Sequence, residues 1–322
     1  MINSAFRLFA SLALCLAASP VLGQSFHAKP VRVIVGFAPG GVVDTPARIV
    51  ATKLGEIWPS GVVVENRPGA GGSTAAGYAA KAPADGYTLL ICNTASHGVN
   101  PAIYKQLAYD PIKDYAAVSQ IGFVPNMVVV QPSVEAKSIR ELLAYAKANP
   151  GKLSMASAGV GTSQHMSIEL LKSMGGVDIT HIPYKGGAPA MSDLLGGQIP
   201  SLLTGMPAGL GAVRSGRVRA LGVTSAKRSP HLPDVPAIAE TVPGYEVTSW
   251  AGVCAPAGVP KAIIAKLNAD IVKVLGMADT RQKLDDQGFE ASPNTPEQFT
   301  AFIAAELSKW ASVIKAAGIQ AE

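Results

Sequence analysis

Short apolar runs alternate along this chain with stretches in which apolar residues recur every three or four positions, the mark of strands alternating with amphipathic helices. Residues 31–36 read as a strand, followed by a helix that reaches Leu54 with Ala47, Val50, Ala51 and Leu54 on one face. Strands at 61–65 and 87–92 flank a helix over 74–80. A second series follows, with strands at 115–122, 127–131 and 153–157 and helices over 139–148 and 166–174. Strand and helix in strict alternation predict an α/β fold with largely parallel strands. The two series predict two sheets.

One unit occurs once in each series: a strand, a Gly-rich turn, and a helix that opens with a polar residue. The first is Phe37-Ala38-Pro39-Gly40-Gly41-Val42-Val43-Asp44-Thr45, and the second is Ser157-Ala158-Gly159-Val160-Gly161-Thr162-Ser163-Gln164-His165. Side-chain oxygens, from Asp44 or Thr45 and from Thr162 or Ser163, are expected to cap these helices. Because Asp44 would repel an anion in a pocket, helix capping is its assigned role. A helix start presents unpaired N–H groups and the positive end of the helix dipole, and glycines let a ligand approach the main chain. Two such turns facing each other would clamp a small anion without any Arg or Lys. Taken singly, each is also an ordinary α/β connection. Neither matches GxxxxGK[ST], nor a GxGxxG with its acidic ribose contact, which argues against a nucleotide.

Other positions carry similar weight. Asn93, Thr94 and Ser96 follow the third strand, where open α/β sheets place ligands. His165 stands just inside a helix start, as a donor to a carboxylate or as a local packing residue. Tyr184 belongs to a Tyr-Lys-Gly-Gly turn, and Thr204 to Thr-Gly-Met-Pro after an apolar run, so either could line a cleft. No G-x-S-x-G elbow and no H-E-x-x-H occurs. Ser163 and His165 lie close together but lack a recognisable orienting acid, so no catalytic residue is assigned.

Composition narrows the setting. The 322 residues open with Arg7 and then a short apolar run to Leu22 broken by Ser11, Ser19 and Pro20. That is the form of a secretory signal peptide over residues 1–23, with the mature chain starting near Gln24 and a periplasmic destination. A lipid-anchored Cys15 is the competing reading, against which the large Leu14 argues. Losing Arg7 takes the formal charge from +5 to +4, that is 26 basic against 22 acidic residues. The basic residues are scattered, which gives no stripe for nucleic acid. Cys92 and Cys254 remain, each at the end of a strand-like run, and either a bridge between them or two buried thiols is compatible with the sequence. Scattered Cys and His predict neither metal nor cofactor.

The motifs together resemble the receptors of tripartite tricarboxylate transporters, the Bug receptors, over essentially the whole mature chain. The resemblance rests on Pro39-Gly40-Gly41 with Asp44, on Glu65-Asn66-Arg67-Pro68-Gly69-Ala70-Gly71-Gly72, and on Ala84-Asp85-Gly86-Tyr87. It continues through Ser157-Ala158-Gly159, His181-Ile182-Pro183-Tyr184-Lys185-Gly186, Leu194-Leu195-Gly196-Gly197-Gln198 and Pro233-Asp234-Val235-Pro236. It implies a type II periplasmic binding protein whose two α/β lobes close around a ligand. Lobe I would take residues 24–122 and 225–322, and lobe II residues 123–224, with hinges near 122–125 and 223–225. It further implies that a small organic carboxylate is held mainly by main-chain groups at Ala38, Pro39, Gly40 and Gly41 and at Ser157, Ala158, Gly159, Gly161 and Thr162. The ligand would then pass to a membrane permease, from a monomeric receptor that is not an enzyme. A ligand-sensing adaptor for a sensor kinase is the alternative. Where relatives place small polar residues after Gly40-Gly41, this chain has Val42-Val43, and Pro200-Ser201-Leu202-Leu203 replaces an acidic and aromatic run. A greasier pocket follows, favouring a longer aliphatic or aromatic acid.

Overall fold

The computed structural model describes residues 28–319; the leader reading at 1–23 lies outside them. Strand β1 (Val31–Val35) is followed by helix α1 (Asp44–Ile57), strand β2 (Val62–Asn66), helix α2 (Ser73–Ala79) and strand β3 (Thr88–Asn93). The chain then makes one π-helical turn over Ala95–Val99 that runs into the short helix α3 (Asn100–Ile103). The long strand β4 (Tyr115–Val130) opens the second series, which continues with α4 (Ile139–Ala148), β5 (Ser154–Ser157), α5 (Ser163–Gly175), β6 (Thr180–Pro183), α6 (Gly187–Leu195), β7 (Ser201–Gly205), α7 (Met206–Arg214) and β8 (Arg219–Val223). The chain returns through β9 (Thr248–Pro256), α8 (Lys261–Gly276), α9 (Ala278–Asp285), β10 (Glu290–Ala291) and α10 (Pro296–Ala317).

The strands form one hydrogen-bonded path, β2-β1-β3-β9-β4-β7-β5-β6, with β8 and β10 also paired to β4. The outer strands β2-β1-β3 and β6-β5-β7 are parallel, as the alternation predicts, while β9, β4 and β8 run antiparallel to their neighbours. The two expected sheets are therefore present, joined through β4. The separate strands expected at 115–122 and 127–131 are one element. Residues up to Pro125 pair with β9, ending at Pro125 opposite Thr248, and Asn126 onward pairs with β7. Gly122 and Pro125 read as a break because proline has no N–H to give to a ladder.

Helix faces follow the apolar spacing. On α1, Ala47, Val50, Ala51 and Leu54 are buried as expected. The last helix has a reciprocal cap: Thr295 Oγ1 accepts the Gln298 amide (3.2 Å) and Gln298 Oε1 accepts that of Thr295 (3.0 Å). Proline at its first position costs no helical bond there. Its buried Phe299, Ile303 and Trp310 then cover the first half of the sheet and the π-turn. Helix α5 is capped by Thr162 Oγ1, which accepts the His165 amide at 3.2 Å, and closes on Gly176 in the left-handed conformation. Cys92 and Cys254 form a disulfide between β3 and β9, with Cα atoms 5.9 Å apart. The antiparallel register sets Leu90 opposite Cys254 and Cys92 opposite Gly252, so the cysteines are diagonal neighbours.

Candidate functional site

The parallel strands of both halves end at one cleft, and the loops that follow them face each other across it. At the inner end lies a cavity of about 30 Å³ walled by Phe37 and Gly41–Val43 after β1, Thr94 and Ala95 after β3, and Ala158 and Thr162–Gln164 after β5. Gly187, Gly205 and Ala208 wall it from the second half, and Ser249 and Trp250 from β9. Helices α1, α5, α6 and α7 and the π-turn all begin at this wall. Such starts present unpaired N–H groups and a partial positive charge, yet no charged side chain lines the cavity.

The polar groups around it are sorted by their bonds. Thr204 is fully buried and its Oγ1 has no hydrogen-bond partner in the protein. Asn126 Oδ1 accepts from Gln164 Nε2 (2.8 Å) and Ser249 Oγ (3.0 Å), and Asn126 Nδ2 donates to Ser163 Oγ at 3.3 Å. Ser163 Oγ also bonds Ser249 Oγ. This buried network sits where β4 passes from β9 to β7. The adjoining crossing is fastened by Thr224 Oγ1, which accepts the Asn126 amide and donates to the Val247 carbonyl.

Of the residues expected at a ligand, Gly41, Val42, Asn93, Thr94, Ala158, Thr162 and Thr204 line this cavity. Some are already engaged. Asn93 Oδ1 accepts the Ala95 and Ser96 amides, closing the turn after β3, and Thr94 Oγ1 accepts the Trp250 amide at 2.9 Å. Ala38 donates its amide to the Lys185 carbonyl across the cleft (3.3 Å). Pro39 and Gly40 line a hollow on the outer surface beside Thr45 and Arg48. Asp44 departs from its expected capping role: the helix begins with it, Val43 holds the cap position, and no side chain caps the helix. Its buried carboxylate instead accepts the Gly40 amide (2.8 Å), Arg48 Nε (2.8 Å) and Asn66 Nδ2 (2.7 Å), because Gly40 at φ +84° turns its N–H back over the first helical turn.

Ser157, Gly161 and His165 support the second turn from beneath. Gly159 donates its amide to Ser157 Oγ, and that hydroxyl lies 2.6 Å from His181 Nε2. His165 Nδ1 accepts the Gly161 amide at 3.3 Å, and its ring stacks on His181 at 4.3 Å. Burial holds His165 down at about 3, aided by the neighbouring His181 and Lys172 charges, and burial likewise holds His181 at about 4. Both rings are thus neutral at ordinary pH. Ser163 bonds Ser249 and Asn126, not His165, so the serine–histidine pairing weighed from the sequence is not formed. Residues missed by sequence reasoning include Gln164, Ser249 and Trp250; the last two lie in the interior of a strand pattern, which carries no ligand signal.

A second cavity of about 230 Å³ occupies the outer end of the same cleft. Phe37 and Ala158 line both cavities, and Gly159 and Tyr184 line the second. The Tyr184 hydroxyl is tied to Asp193 Oδ2 at 2.7 Å. Among the described residues, the cluster with metal-ligand spacing is Cys92, His97 and Cys254, whose sulfurs are joined to each other. No helix among them is long and apolar enough to cross a membrane.

The fold has close counterparts. BugT of Bordetella pertussis is 37% identical over 318 residues, covering 97% of this chain and 98% of the relative. A Rhodopseudomonas palustris structure with adipate is 39% identical with a TM-score of 0.88, covering 91% of this chain and 98% of that one. MatC from the same organism, with bound malate, is 33% identical with a TM-score of 0.85, covering 89% and 99%. The family model described as the tripartite tricarboxylate transporter family receptor matches residues 46–319. The chain therefore belongs to the family of tripartite tricarboxylate transporter receptors.

Proposed function

We propose that this receptor captures a small organic carboxylate in the periplasm, closes on it, and delivers it to a membrane permease. The observation that carries the reading is the inner cavity, where helix starts from both halves meet, no charged side chain intervenes, and a buried Thr204 hydroxyl has no partner. Among the described residues the amides of Gly41 and Val42, and those of Ser163 and Gln164 opposite, donate to no protein acceptor. A carboxylate there gains charge-assisted bonds worth about 1.5 to 3 kcal/mol each, so a few account for micromolar affinity. Adipate and malate in the two structural relatives are of the same chemical class. Phe37, Val42, Val43 and Trp250 make the surroundings apolar, which favours an aliphatic or aromatic body over a polyhydroxylated one.

The lobes of this reading are 24–122 with 225–322, and 123–224. The transfer of β4 pairing from β9 to β7 at Pro125 and Asn126, with the Thr224 crossing beside it, supports hinges at 122–125 and 223–225. Ligand then shifts a population from open to closed without remodelling either lobe. Secretion through the leader, a monomeric state, the permease as partner and binding without turnover belong to the same reading.

The test is a thermal-shift and calorimetric screen of mono- and dicarboxylates, each paired with its amide or alcohol. Carboxylates should raise the melting temperature, their neutral counterparts should not, and scattering should show a more compact protein with the best ligand. Equal response to acids and neutral analogues, or no response to any acid, refutes the proposal.

A further inference from the structure

Three polar side chains on the inner cavity wall, Ser163, Gln164 and Ser249, are bonded to one residue that is not part of that wall, Asn126. All four are buried. They come from three places in the chain. Ser163 and Gln164 open helix α5, Ser249 lies near the start of β9, and Asn126 is the first residue of β4 to pair with β7 after the pairing with β9 ends at Pro125. The Asn126 main chain is held at both its polar groups: the amide donates to Thr224 Oγ1 (2.8 Å) and the carbonyl accepts the Thr224 amide (2.9 Å). Its side chain therefore leaves a fixed backbone at the crossing between the halves.

The hydrogens of this network run in one direction. Ser249 Oγ donates to Asn126 Oδ1 at 3.0 Å, and a hydroxyl has a single hydrogen. Ser249 Oγ is consequently the acceptor in its bond with Ser163, and Ser163 Oγ is the donor. Ser163 Oγ in turn accepts from Asn126 Nδ2 at 3.3 Å. The result is a closed ring, from Asn126 Nδ2 to Ser163, from Ser163 to Ser249, and from Ser249 back to Asn126 Oδ1. Bonds in such a chain polarise one another, and in a dry interior an opened ring leaves a buried group unpaired. Gln164 Nε2 donates to the same Oδ1 at 2.8 Å, which ties the next residue of the helix start to the ring. The main-chain amides of Ser163 and Gln164 are two of the donors assigned above to the carboxylate.

Resting on that assignment, we infer that Asn126 is a positioning residue for ligand retention. It does not touch the acid. It directs the Ser163 and Ser249 hydroxyls into a ring that is complete only when the two halves are together, and the ring holds the first turn of α5, with its donors, against β9. Release then requires the ring to open, whereas entry meets a cleft in which it has not yet formed.

The experiment is stopped-flow mixing with adipate and malate as probes or, if neither binds, the tightest acid of the screen above. The signal is tryptophan fluorescence, to which Trp250 on the cavity wall contributes. The proteins are the native receptor, Asn126→Ala, Ser249→Ala, their double variant, and Ser249→Thr. Each single alanine variant should release the acid on the order of tenfold faster, with the association rate within about twofold of native. Because either change opens the same ring, the double variant should release no faster than the poorer single one. Ser249→Thr keeps the hydroxyl and should keep most of the native release rate, and Ser249→Ala should hardly move the ligand-free melting temperature. An unchanged release rate, a loss that falls on association, or single effects that multiply in the double variant overturns the inference and leaves the carboxylate reading standing. Should Asn126→Ala not fold, the Ser249 pair decides: faster release with alanine and its recovery with threonine support the role, and the same rate in both overturns it. Failure of every carboxylate to bind overturns the carboxylate reading, and the positioning role with it.

Discussion

A single methyl group at Gly205 should separate closure from folding. Gly205 lies at the end of β7 with φ −76°, a conformation open to any residue, so alanine there introduces no backbone strain. The space its Cβ would occupy is filled across the cleft by Cγ2 of Val42, inside the 3.0 Å that real Cβ atoms respect and far inside ordinary contact at 3.4 Å. Overpacking of this kind costs about 1 to 3 kcal/mol. If the collision exists only in the closed form, the whole cost falls on binding, and Gly205→Ala should weaken the ligand by about 5- to 150-fold. The melting temperature of the ligand-free protein should hardly move. Removing the obstacle with Val42→Ala should restore affinity in the double variant, so a double-mutant cycle returns a coupling of the same size. Calorimetry and unliganded thermal melts are the assays. Native affinity in Gly205→Ala, or an equal loss of stability without ligand, would refute the argument that Val42 and Gly205 meet only on closure.

Three further outcomes follow from the same geometry. Thr204→Val removes a buried hydroxyl that has no partner, so it should stabilise the ligand-free protein by about 1 to 3 kcal/mol while weakening ligand, two opposite signs measured by melting and calorimetry. His165 and His181 are held at about 3 and about 4 against 6.5 for a free ring. As pH falls the unfolded chain takes their protons first, so their contribution is complete above about 6.5. It is lost on the way down to about 4 for His181 and 3 for His165, at up to about 1.4 kcal/mol per pH unit each; urea titrations of His165→Asn against the native chain should show a shallower acid slope, and an unchanged slope contradicts the assignment. The Cys92–Cys254 bridge closes a loop with a sequence separation of 162, so the double alanine variant should lose about 2 to 5 kcal/mol in denaturant melts.

Much of this was readable from the chain. Helical spacing located α1, α4 and α5, and Thr162 caps α5 as expected, because these signals are local. What failed depended on neighbours distant in sequence. Pro125 reads as a strand break until β9 and β7 divide the pairing of β4 around it. Asp44 reads as a helix cap until Asn66, from β2, joins Gly40 at its carboxylate. The sequence marked two helix starts at the site and singled out Thr94, Tyr184 and Thr204 in the turns before α6, α7 and the π-turn, but that all five starts share one wall emerges only once strand order places their strands side by side. Asn126 and Ser249 look like misplaced polar residues in apolar strands, and their purpose as mutual partners depends on a register that no local pattern encodes.

Strand β4 is one backbone serving as a middle rung for both sheets. Neither half can melt by itself without stripping the ladder from its neighbour, so the chain should come apart in a single cooperative event even though the proposed closure moves its halves against each other. On the proposed closure, the movement would bend a shared beam and not loosen a joint, so repeated opening and shutting would leave both cores covered from water.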